Sequence, residues 1–188
     1  MPADIFEIAT HEFIKLEDEQ IKRIGFRDNL LYVNLVLISG IMSFVFSSSG
    51  TKDTWHFYGL LLAAWVTIVL GWTYLVNDEK ISSIGRYLRE NLAHILNSDS
   101  SIKIFGWEEF HRSDKHRIRR KFEQLLIDQL SFVVIGFAAV ILFWNFVPSY
   151  SFWSMAISIF EAALLIGLSL EIIIYADLKR DRVGEPMK

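Results

Sequence analysis

The chain has 188 residues, 52% of them apolar and 14% aromatic, a length of about one domain with an apolar excess that points to lipid rather than water as solvent. Its net charge of −3 and pI near 5.9 leave no overall cationic field, so a nucleic-acid partner is not expected. With no cysteine, disulfides, thiolate-held zinc, iron–sulfur clusters and thiol nucleophiles are excluded.

Pro2 sits where a helix start tolerates it, and Ile5, Ile8, Phe13, Leu16 and Ile21 fall among charges, which predicts an amphipathic helix over residues 1–27. This start is acidic rather than a basic patch followed by an apolar core, so no cleavable signal peptide is expected. Gly25 is expected to interrupt the helix. Residues 30–46 are then largely apolar, carry Asn34, Ser39, Gly40 and Ser43, and are just long enough for a first span. Small polar residues at 47–54 predict a reversal. The second span, 55–76, begins with Trp55, Phe57 and Tyr58 and ends with Trp72 and Tyr74, the places where interfacial aromatics belong.

Residues 77–128 are polar. Within them Ile81, Ile84, Leu88, Leu92 and Ile95 recur at three-to-four spacing, which predicts an amphipathic helix over 79–96 with Arg86 and Arg89 on other faces. A break at 97–101 and a short aromatic stretch at 102–110 follow. Ser113 is expected to cap a strongly basic helix that runs without interruption into a third span, 130–147. Pro148 and Ser149 make a short turn, and the fourth span, 152–175, carries Trp153 at one end and Tyr175 at the other.

The expected fold is therefore all-α and membrane-integral. An N-terminal amphipathic helix (1–27) precedes two transmembrane hairpins (28–76 and 129–176), a helical segment (77–128) separates them, and a tail (177–188) follows. Of the 19 Lys and Arg, only Lys52 lies in an interspan loop on the far side. The others precede the first span, occupy 77–128 or follow the fourth span. Positive charge in short loops stays inside, so both termini and the middle segment are expected in the cytoplasm of a bacterial inner membrane.

Glu161 and Glu171 are the first functional candidates, because a carboxylate within a span costs about 2.5–3.5 kcal/mol on insertion scales. Glu161 lies about 13 Å from the nearer helix end and is expected to face the bundle or an oligomer axis, as an ion-binding group with Asn34 and Ser158 or as an interhelical hydrogen-bonder. Glu171 is offset from it by about 80° and is expected near the cytoplasmic interface. Small residues in the first span, and Ala162, Ala163 and Gly167 in the fourth, would allow close helix approach. The basic run Lys115, Arg117, Arg119, Arg120 and Lys121 is expected to meet anionic headgroups or a cytoplasmic protein partner. No Walker loop, dinucleotide fingerprint, HExxH or nucleophile elbow is present, so neither cofactor nor metal is expected.

Arg89 and His94 form an R-x4-H spacing that resembles the signature of HEPN ribonucleases, in which such a pair acts on RNA across a dimer. The segments FRDNLLYVNL (26–35), LGWTYLVNDEKISSIGRYLRE (70–90) and GWEEFHRSDKHRIRRKFEQLLID (106–128) resemble a group of uncharacterised bacterial four-span inner-membrane proteins. In layout the chain is also similar to SLATT-type antiphage membrane effectors, from which it departs by its second hairpin. The carboxylates within the spans, the small-residue faces and the long middle segment lead to the expectation of a homo-oligomeric, channel-like membrane effector triggered from the cytoplasm, and the likeness of layout implies antiphage defence as its setting. A scaffold subunit of a larger membrane complex and a membrane-tethered ribonuclease are the competing expectations.

Overall fold

The computed structural model describes residues 3–47, 55–97, 116–147, 149 and 151–176, without the side chains of 3–5, 94, 97 and 117. In a long apolar run a helix satisfies the backbone N–H and C=O groups within the segment itself. Among the described residues there is accordingly no strand.

In chain order the helices are α1 (Ala3–Ser47), α2 (Gly59–Tyr87, entered through a 3-10 turn at Trp55–Tyr58), α3 (Ala93–Asn97), α4 (Arg117–Asp128), α5 (Ile135–Phe146) and α6 (Phe152–Tyr175). Two π-helical stretches, Leu88–Leu92 and Gln129–Val134, join α2 to α3 and α4 to α5 without a break. Four stretches are long and apolar enough to cross a membrane: Phe6–Ser47, Trp55–Leu92, Ile118–Phe146 and Phe152–Tyr175.

The expected interruption at Gly25 does not occur. One helix of 45 residues runs through it, because a single glycine costs about 1 kcal/mol relative to alanine, which the apolar stretch that follows offsets. The amphipathic segment expected over 79–96 is likewise the continuation of α2 through the first π stretch. At about 1.5 Å per residue α1 is about 68 Å long, roughly twice the thickness of a hydrocarbon core. The two extensions pack on each other: Ala9 is buried with Leu88, Leu92 and Leu96, with Phe13, Leu16, Ile84 and Ile95 around them. The start of the helix expected at Ser113, residues 98–115, Pro148 and the tail lie outside the described residues.

Pairing is consistent along the bundle. Val45 shares a cluster with Leu60, Leu30 shares one with Tyr74 and Leu75, and Ala9 shares one with Leu88, so α1 and α2 run in opposite directions. Helix α5 runs against α2, with Phe132 beside Tyr74 and Phe143 beside Tyr58. Helix α6 runs against α5, tied by Trp144 to Ser158 at one level and Gln129 to Ser169 at another. Helix α2 is the hub: half of its most apolar window is buried inside the chain, against 22% for α1.

Two glycines sit at close approaches between helices. A Cβ on Gly71 would stand 2.6 Å from Leu168 Cδ2 and 3.2 Å from Phe132 Cβ, and one on Gly136 would stand 2.6 Å from Leu165 Cδ2 and 2.8 Å from Thr67 Oγ1. Of the small residues expected to allow close approach, Gly167 faces Trp72 Cζ2 at 3.9 Å and Ala162 is half-buried. Gly40 has nothing within 4 Å of its missing Cβ, and Ser39, Ser43 and Ala163 are exposed on outer faces. Tyr74, at the end of the second apolar run, is buried in the bundle beside Phe132.

One end carries a charged collar. Arg27 Nη1 donates to Asp78 at 2.7 Å, and the guanidinium lies 6.0 Å from the Tyr74 ring centroid. Asn77 donates to the Arg23 backbone carbonyl at 2.7 Å. Between this collar and the aromatic far end, where Phe57 stacks on Phe146 at 5.0 Å, α2 carries no charged residue.

These contacts predict opposite outcomes for two alanine substitutions. Gly136→Ala is expected to destabilise the detergent-solubilised protein by about 1–3 kcal/mol, through overpacking against fully buried Leu165 and Thr67. Gly25→Ala, in open space, is expected to stabilise it by up to about 1 kcal/mol. Thermal unfolding of both variants checks the pair.

Candidate functional site: a buried carboxylate in the bundle interior

Helix α6 buries Ser154, Ser158, Glu161, Leu165, Leu168 and Ile172, a stripe at alternating spacings of four and three that seats one face of the helix in the bundle. Glu161 lies in the middle of that stripe. It is 0% exposed, and neither carboxylate oxygen has a hydrogen-bond partner among the described residues. Of the two placements expected for it, the bundle interior of a single chain is the one observed.

Its level follows from its neighbours on the stripe. Ser158, one turn away, accepts a hydrogen bond from Trp144 Nε1 at 3.1 Å, and Leu165 meets Gly136. Glu161 therefore sits between the levels of Trp144 and Gly136 on α5. Fully buried Ala63, Ala64 and Ala139 cluster with Leu165. An ionised carboxylate in such surroundings without a partner carries a desolvation cost far above any neutral group's, so the position calls for a proton or a bound cation. No cluster of three or more His, Asp or Glu residues stands in the described residues to hold a metal ion.

The other predicted residues divide. Ser158 is fully buried, but its hydroxyl is engaged: it donates to the Met155 carbonyl at 2.9 Å and accepts from Trp144. It acts as a tie between α5 and α6. Asn34 is also fully buried, yet it lies in a different tier. Its Nδ2 donates at 2.7 Å to the carbonyl of Ser131, inside the second π stretch. From Ser131 to Trp144 is about 20 Å along a helix, so Asn34 and Ser158 do not meet. Glu171, beside Ile172 at the edge of the stripe, is half-buried.

Arg89 lies in the first π stretch and pairs with Glu90 at 3.8 Å; the side chain of His94 is outside those described. Of the basic run, Arg119 is exposed and pairs with Glu123 at 2.8 Å within its own helix, and Arg120 and Lys121 stand exposed and half-buried. Lys115 and the side chain of Arg117 lie outside the description.

Around the π stretch the structure assembles a polar tier of which sequence reasoning found only Asn34. Gln129 donates to the Ser169 carbonyl at 3.0 Å and accepts from the Ser169 hydroxyl at 3.1 Å. Asp128 is buried and its Oδ1 has no hydrogen-bond partner among the described residues, while the nearby Tyr74 hydroxyl accepts from Gln124 Nε2 at 3.5 Å. π stretches frequently mark functional positions, since their irregular ladder turns carbonyls towards neighbouring groups. The one available signal was Asp128–Gln129 at the polar-to-apolar boundary of a continuous helix, which also reads as an ordinary helix entry into lipid.

Comparison with known protein families, with curated proteins and with solved structures finds no match to this chain.

Glu161→Leu is expected to raise stability by about 1–3 kcal/mol, because it removes a buried polar group that lacks hydrogen bonds. Asn34→Leu is expected to lower it by about 1 kcal/mol through the lost bond to Ser131. Thermal unfolding in detergent checks both signs, and a destabilised Glu161→Leu would reveal an interaction beyond the described residues.

Proposed function

We propose that the chain is a non-enzymatic, channel-like effector of the bacterial inner membrane, opened from the cytoplasm and acting by lowering membrane integrity, with antiphage defence as its setting. The observation that carries this reading is Glu161, a fully buried carboxylate inside an apolar bundle without a hydrogen-bond partner among the described residues. A purely structural bundle gains nothing from such a group, whereas a conduction path needs a polar station at depth.

The charge distribution supports insertion with both termini and residues 77–128 in the cytoplasm, and the four apolar stretches then form two transmembrane hairpins. Because Glu161 belongs to the interior of one chain, the path runs within each protomer. Self-association is supported by the outward small residues Ser39, Gly40 and Ser43, which permit close approach of a second copy. Cytoplasmic signals would enter through the paired extensions of α1 and α2–α3, which continue into the spans without a joint.

The scaffold reading has one observation in its favour. Only 22% of the most apolar window of α1 and 28% of that of α6 are buried, which leaves broad outer faces for helices of other chains as well as for lipid.

Bacterial cells expressing the chain and loaded with a membrane-potential dye are expected to depolarise, and Glu161→Leu is expected to restore the potential at equal protein level. A fully inserted chain that leaves the potential intact, and that purifies in stable association with other polypeptides, would replace the effector by the scaffold.

A further inference from the structure

We infer that the groove between α1 and α2 beside the charged collar is a binding site for one anionic phospholipid of the cytoplasmic leaflet. The inference rests on the apolar stretches being membrane spans, and it is independent of conduction through Glu161.

Two adjoining surface depressions, shallow and open along most of their face, with volumes of about 340 and 380 Å³, share Arg23, Phe26 and Asn77. Their composition changes along the helix axis. On the apolar side the walls are Trp72 and Val76, and on the charged side they are Lys22, Arg23 and Lys80. The change falls where charge stops in both helices, since the last charged residue of α1 is Asp28 and the first of α2 is Asp78. This is the level of the boundary between hydrocarbon and headgroups. A slot that is greasy below that boundary and cationic above it matches a phospholipid, with an acyl chain along Trp72 and Val76 and a phosphate at the cations.

The cations are prepared for that role. Glu19 holds Arg23 through two hydrogen bonds of 2.6 and 2.8 Å, and Asn77 Oδ1 accepts from it at 3.3 Å, so the guanidinium is fixed at the mouth. Glu19 offsets the Arg23 charge, and Lys22 is drawn towards Asp18 at 3.5 Å on the exposed surface. Lys80, exposed and in no ion pair among the described residues, supplies the net positive charge.

The test is native mass spectrometry of the full-length chain, purified in detergent and titrated with phosphatidylglycerol or phosphatidylethanolamine. The expected result is retention of one phosphatidylglycerol in preference to phosphatidylethanolamine. Lys80→Gln should weaken it about fivefold, as for about 1 kcal/mol per surface cation, and Val76→Trp should block it by filling the apolar wall with every cation left in place. Arg119→Gln, in the separate basic run of α4, should leave binding unchanged, and inorganic phosphate should not displace the lipid. Equal retention of both lipids, or loss in Arg119→Gln with Lys80→Gln and Val76→Trp unaffected, overturns the site. A chain that stays monodisperse without detergent overturns the membrane reading itself.

Discussion

Four long stretches with largely apolar surfaces are held together by close backbone approach and by a few interhelical hydrogen bonds. The structure supplies the first at Gly71 and Gly136, where Leu168, Phe132, Leu165 and Thr67 occupy the space that side chains would fill. Both glycines lie on the contacts among α2, α5 and α6, which makes α2 the hub. Helix α1 lies against this trio with most of its apolar window outward.

The hydrogen bonds gather at the π-helical stretch between α4 and α5. An irregular ladder inside an apolar bundle is tolerated where neighbouring side chains satisfy the groups it redirects, and Asn34 does this for Ser131. Gln129 and Ser169 add a reciprocal pair to α6, and one turn before the stretch Gln124 donates to the Tyr74 hydroxyl of α2 at 3.5 Å. The second π stretch thus meets α1 and α6 through polar contacts. Glu161 stands apart from this tier: the same tight packing that defines the bundle encloses it, and nothing among the described residues answers its oxygens.

The unequal helix lengths give the molecule its shape. Helix α1 and the continuous α2–α3 rod extend well past the thickness that α6 spans, and they stay paired through Ala9, Leu88, Leu92 and Leu96. The collar of Arg23, Arg27, Asn77 and Asp78 clamps the pair where apolar sequence gives way to charge.

The sequence by itself determined the four apolar stretches, their approximate ends and the placement of two carboxylates within the fourth, because length, hydropathy and charge are local properties of the chain. It also made Glu161, Asn34 and Ser158 visible as polar residues in apolar surroundings. Tertiary structure alone decided how these residues are used. Asn34 and Ser158 are tied at separate levels, Glu161 is enclosed within one chain, and Gly25 is merely a residue inside a long helix. The groups that build the polar tier escaped the sequence reading because Asp128, Gln129 and Ser169 are unremarkable one at a time. They acquire meaning from helices that meet only after the chain has folded back on itself, and spacing within a single segment does not encode which residues will stand opposite.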